Sequence, residues 1–166
     1  MPIRPARLDD LPDLLAINQA NVPAVGDLDA DSLARLMQQA AHVLVAETAD
    51  AGVAGFLLCL HEGAAYGSPN YAWLAARHPR MAYVDRIALA EGQRSQGLGA
   101  QLYAALAAAE AGTGRPLTCE VNERPANPGS LRFHQRLGFE ITGRADHGSK
   151  AVIFLVRPAD AKDMIR

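Results

Sequence analysis

Apolar residues return at helical spacing early in the chain, where Leu11, Leu14, Leu15 and Asn18 line up behind Asp9, a residue suited to an N-cap. Residues 3–7 before them read as a short strand. Past the breakers at 23–26, Asp31 or Ser32 can start a second helix with Leu33, Leu36 and Met37 on one face. Residues 43–47 and 53–59 are apolar, partly β-branched runs around the polar turn 50–52, which predicts a hairpin. From 62 to 80 the period is lost. Gly63, Gly67, Pro69 and Pro79 punctuate that stretch, so it reads as a long loop with at most a helical turn near Trp73. Its aromatics Tyr66, Tyr71 and Trp73 argue for an ordered lid. A strand over 81–90 then leads through a glycine-rich turn into an Ala-rich helix over 99–111, with Leu102 and Leu106 facing in. A strand at 117–121, a loop to Pro128, a short helix over 131–137 closed by Gly138, and strands at 139–142 and 152–156 complete the pattern.

The chain has 166 residues and no internal repeat or shift in composition, which predicts one domain spanning 1–166. Hydrophobic residues make up 49% and charged residues 20%, a globular balance. A formal net charge of -2 gives no footprint for binding nucleic acid. No run approaches the roughly 18 apolar residues that span a bilayer, and the start of the chain lacks a secretory pattern. The expectation is a cytoplasmic protein without a membrane partner, and a homodimer is compatible with this composition. Cys59 and Cys119 sit in apolar strand-like runs and read as buried thiols.

The chemistry concentrates in Gln93-Arg94-Ser95-Gln96-Gly97-Leu98-Gly99-Ala100, between a strand and a helix. Unpaired N–H groups at a helix start can cradle a phosphate or pyrophosphate, and Arg94 could add a charge-assisted contact. A tight turn without ligand is the plain alternative. A Walker loop needs a lysine after the glycines, and a dinucleotide fingerprint needs a third glycine where Leu102 stands. Both readings fail.

The stretch from Ile87 through Ala88 and Leu89 to Ala100 resembles the acetyl-CoA motif of the GNAT superfamily of N-acetyltransferases, an Arg/Gln-x-x-Gly-x-Gly/Ala loop after an apolar strand. A second match follows, where Glu120-Val121-Asn122 ends a strand and Asn127, Ser130, Phe133 and His134 lead into Leu137-Gly138-Phe139. The resemblance implies an α/β (α+β) fold. Its mixed, mostly antiparallel sheet would have six to seven strands, helices on both faces, and a splay between the fourth and fifth strands. It further implies acetyl-CoA as co-substrate. Ile87, Ala88 and Leu89 would meet the pantetheine arm, Arg94, Ser95, Gln96, Gly97, Leu98, Gly99 and Ala100 the pyrophosphate, and Asn127, Ser130, Phe133 and His134 the far side.

Acetylating an amine requires removal of a proton, because an alkylammonium with a pKa of about 10.4 is mostly protonated at neutral pH. Strand alternation puts Asp85 on the face of Ile87 and Leu89, where it could act as base or attract the substrate; a structural ion pair is the alternative. Arg86 should point to the opposite face. Glu120 ranks below Asp85, and Tyr83 shares the face of Asp85, so both would line the acceptor pocket with Tyr71 and Trp73. His134 stands where many family members have a tyrosine that protonates the leaving thiolate, and it could donate that proton or only hydrogen-bond the sulfur. The other histidines, His42, His61, His78 and His147, show no ligand spacing, so no metal is expected. The favoured acceptor is a primary amine on a small or amino-acid-like molecule. The alternatives are a non-catalytic acyl-CoA-binding regulatory module and a protein-modifying acetyltransferase.

Overall fold

A computed structural model describes residues 2–161 of the protein. Seven strands form one sheet: β1 (Ile3–Pro5), β2 (His42–Thr48), β3 (Gly52–His61), β4 (Ala82–Leu89), β5 (Leu117–Arg124), β6 (Glu140–Asp146) and β7 (Ala151–Arg157). Their order is β1-β2-β3-β4-β5-β7-β6, and every neighbouring pair is antiparallel except β4 and β5. Five helices cover it: α1 (Leu11–Ala20), α2 (Ala30–Gln39), α3 (Pro69–Arg77), α4 (Leu98–Ala109) and α5 (Pro128–Arg136).

The central strands bury both faces, which is why β3 reads as a continuous apolar run rather than an alternation. On one face Leu57, Cys59, Val84, Cys119 and Val121 pack against Leu102, Tyr103 and Leu106 of α4. On the other, Phe56, Leu58, Leu60, Tyr83 and Phe154 meet Leu14 of α1, Leu33 of α2 and Leu74 of α3. Both cysteines are free and buried, as expected.

The stretch read as a lid loop contains a nine-residue helix instead. Ser68 caps it by accepting from the Tyr71 N–H at 3.3 Å, and Pro69 occupies the first turn, where its missing N–H costs nothing. What looked like a breaker is a helix start. Smaller shifts have similar causes. The N-cap of α2 is Asp29, whose Oδ1 accepts from the Ser32 N–H, and α5 begins at Pro128 behind the Asn127 cap. The helix α1 begins after Asp10 rather than Asp9, because residues Leu8–Asp10 form a 3-10 turn ahead of it, where Asp10 accepts from the Arg7 N–H at 2.6 Å.

Candidate active site

Strands β4 and β5 are parallel and paired only at Ala82 with Leu117 and Tyr83 with Thr118. Beyond that point β4 stays with β3 and β5 with β7, so the two diverge and open a wedge in mid-sheet. The Ala90 N–H bonds to the Ala54 carbonyl, so Ala88 and Ala90 spend their backbone groups on β3 while Ile87 and Leu89 turn theirs to the bare edge. Asn21, at the end of α1, donates its side-chain amide to the Leu89 carbonyl at 2.9 Å. Across the wedge, Asn122 donates to the Pro23 carbonyl at 3.1 Å, so the α1–α2 connection is tied to both walls.

The β4–α4 loop lies at the end of this wedge. Ser95 (φ 65°) and Gly97 (φ 78°) both adopt left-handed backbone, which a serine rarely does. Among the described residues no protein acceptor meets the N–H groups of Arg94 through Ala100. Alternating backbone handedness with free N–H groups at a helix start makes an anion-binding concavity, and α4 adds its dipole. The chain fits a pyrophosphate here. Gly99 is needed for close approach, because a Cβ there would lie 2.9 Å from the Phe133 ring of α5. Gln96 spans the loop to the Gly92 carbonyl, and Leu98 is buried. Arg94 donates to Asn21 Oδ1 at 2.7 Å, beside a cleft of about 320 Å³ lined by Ala20, Asn21, Leu89, Glu91, Gly92 and Arg94.

On the α1–α3 side of the wedge lies a set of acids. The register between β3 and β4 slips at Leu58 and Cys59, so that Asp85 is an extra residue between Val84 and Arg86. This bulge breaks the alternation expected along the strand. Asp85 faces away from Ile87 and Leu89 and meets Arg86 Nε at 2.7 Å and the Tyr66 hydroxyl at 2.6 Å. The guanidinium of Arg86 goes on to Asn18 and the Gly26 carbonyl. The ion pair is 4–6% exposed at its side chains, so Asp85 is committed to neighbours. Glu120 is different. Among the described residues its carboxyl has one hydrogen-bond partner, the Tyr83 hydroxyl, which donates at 2.5 Å. Burial pushes its carboxyl up to about 8, with the nearby Asp85 charge adding to the shift and the Tyr83 hydrogen bond opposing it.

His134 is 3% exposed. Its Nδ1–H donates to the Ser130 carbonyl at 2.8 Å, which leaves Nε2 to accept from the Tyr103 hydroxyl at 2.7 Å. Burial holds its pKa below the ordinary value. The rings of Tyr103, Phe133 and Phe139 surround it edge to face.

The sequence profile of the Acetyltransferase (GNAT) family matches residues 11–139, which spans both walls of the wedge and the anion loop. The chain belongs to the GNAT acetyltransferase family. Solved structures agree in fold. A ribosomal-protein-alanine N-acetyltransferase from Brucella melitensis is 24% identical with a TM-score of 0.71, covering 95% of this chain and 99% of that one. An N-acetyltransferase from Staphylococcus aureus is 22% identical with a TM-score of 0.71, covering 95% and 98%. Arabidopsis thaliana NAA60 in complex with acetyl-CoA is 14% identical with a TM-score of 0.75, covering 94% and 98%. A comparison with proteins of curated function finds no match.

Within this GNAT fold the residues nominated from sequence divide into two groups. Ile87, Leu89 and the loop 94–100 line the wedge and its end, with Phe133 packed on Gly99, while Ser130 of α5 is engaged with Asn127 and His134. The Asn127 side chain caps α5. Tyr71 and Trp73 are not at the wedge. Tyr71 is buried, its hydroxyl donating to the His61 carbonyl and accepting from the Ala64 N–H. Trp73 stacks on Phe154 at 4.0 Å, with the Arg77 guanidinium 3.5 Å from its ring centre. Those aromatics serve packing because α3 is a helix rather than a lid. Strand alternation alone puts Arg86 on the face opposite Asp85; the bulge brings the two together, so the structural ion pair, the alternative reading of Asp85, is the one that forms. Asn21 carries no distinctive signal in the sequence, and Asn122 stands there only as the end of a matched strand, so neither tie across the wedge was legible before folding. No helix among the described residues is long and apolar enough to cross a membrane.

Proposed function

We propose that the protein transfers the acetyl group of acetyl-CoA to a primary amine of a small molecule, with Glu120 as general base. The carrying observation is a carboxyl on the wall of the wedge whose one side-chain partner among the described residues is the Tyr83 hydroxyl, and burial pushes its pKa up to about 8. A base poised near the working pH suits proton removal from an ammonium, and Asp85, bound by Arg86 and Tyr66, is the poorer candidate.

In this reading the loop 94–100 binds the pyrophosphate, and the bare edge of β4 directs the thioester into the wedge. The amine nitrogen attacks the carbonyl carbon, a C–N bond forms, and Glu120 takes the released proton. Backbone N–H groups of Ile87 and Leu89 stabilise the oxyanion. The C–S bond then breaks, and the thiolate takes a proton from Glu120 or water, giving the amide and free coenzyme. A thiol pKa near 8.5 makes that departure tolerable without a dedicated acid, which suits the fully paired His134. The α1–α2 connection tied across the wedge favours a small acceptor over an extended chain.

The test is thiol release from acetyl-CoA with a panel of small primary amines and N-terminal peptides. Turnover is expected with small amines. Coenzyme binding by calorimetry without thiol release for any acceptor would make the protein a binding module. Peptides outrunning every small amine would make it a protein-modifying enzyme.

A further inference from the structure

At the end of α4 remote from the anion loop, three side chains far apart in sequence converge. His42 opens β2, His61 closes β3, and Glu110 follows the last turn of α4. The Nε2 atoms of both histidines lie 2.6 Å from the same oxygen, Glu110 Oε2. Their spacing along the chain gives no hint of this. The twelve residues of α4 put the cluster about 18 Å from the anion loop, outside the machinery described above.

We infer that His42, His61 and Glu110 bind one divalent transition-metal ion of the zinc class. Two imidazoles and one carboxylate are a ligand set that zinc accepts, with water in a fourth position. The second oxygen of Glu110 lies 3.0 Å from the Thr113 hydroxyl, which it shares with the Glu110 carbonyl at 2.9 Å, and faces Arg115 Nη1 at 3.7 Å, so Oε2 alone is turned to the histidines. That is the support which orients a carboxylate ligand. Arg115 does not repel a cation outright, because Glu62 takes its Nε and Nη2 at 3.0 Å each, leaving the cluster one negative charge in excess. Glu110 is buried, yet His42 and His61 are 23% and 30% exposed at their side chains, and Glu110 and Arg115 also border a surface cleft of about 460 Å³. An ion can therefore reach the site. Zinc bonds of 2.0–2.2 Å separate tetrahedral donors by about 3.3 Å, so each half-exposed ring would retreat by about 0.7 Å on binding.

The experiment uses the full chain, free of any affinity tag and stripped with a chelator, titrated with Co²⁺ and then Zn²⁺. The expected result is the visible absorption of tetrahedral Co²⁺ at one equivalent, its displacement by Zn²⁺, and a higher melting temperature with Zn²⁺. His61→Ala and, separately, His42→Asn should remove both signals while keeping the far-ultraviolet circular dichroism of the wild type. Thr113→Val should weaken the metal by about 10–100-fold through the loss of ligand support. Two results overturn the inference: a wild type with neither signal, or signals that persist in both folded histidine variants, since the metal then sits on Cys59, Cys119 or other groups.

Discussion

Glu120→Gln keeps the size of the side chain and an oxygen for the Tyr83 hydroxyl, but removes the titrating group. With an acceptor of low amine pKa, wild-type kcat/KM should rise tenfold per pH unit and level off near pH 8, where the carboxyl ionises. The variant should lose that limb and about 10²–10⁴-fold in turnover, the range for a general base, which equals about 3–5 kcal/mol of barrier. Stability gives an independent reading. A carboxyl whose folded pKa is raised from 4.5 to about 8 favours folding below 4.5, and that contribution is lost as pH climbs to 8. At 1.36 kcal/mol per unit the loss is on the order of 5 kcal/mol for wild type and absent in the variant. Urea unfolding at pH 5, 7 and 9 should therefore show Glu120→Gln gaining on wild type as pH rises. A variant within threefold of wild-type turnover, with its pH limb intact and no such gain, would refute both the role and the buried acid behind it.

Gly97→Asp should weaken acetyl-CoA binding at least tenfold with the fold retained, since it adds charge and a strained left-handed residue to the anion loop; calorimetry reads it. Asp85→Asn should act mainly on stability, costing about 3–5 kcal/mol by denaturant unfolding because the buried Arg86 loses its counter-charge. Turnover of the folded fraction should stay near wild type, and a large loss there would return Asp85 to the chemistry. His134→Phe should leave turnover within about threefold, below the range for a lost general acid, but cost about 1–3 kcal/mol by stranding the Tyr103 hydroxyl. Adding Tyr103→Phe should recover part of that cost.

The sequence by itself determined the order of the elements other than α3, the glycine loop between β4 and α4, and the buried thiols, because periodicity, capping residues and glycine placement are local signals. Its resemblance to the GNAT family anticipated the mixed sheet and the splay as well. Some local signals were present but outweighed, as with Ser68 and Pro69, whose helix start was hidden among glycines and prolines read as breakers. Other features exist only in the folded chain. A single extra residue at Asp85 turned that carboxylate toward Arg86 and Tyr66, and no spacing rule reveals a bulge set by pairing with β3. Glu120 and His134 look alike in sequence as lone polar residues near apolar runs. Tertiary packing separated them, leaving one with a single hydroxyl and a raised pKa and closing both ring nitrogens of the other. His42, His61 and Glu110 meet only because β2, β3 and the end of α4 come together, since charge and ligand geometry depend on neighbours in space rather than along the chain.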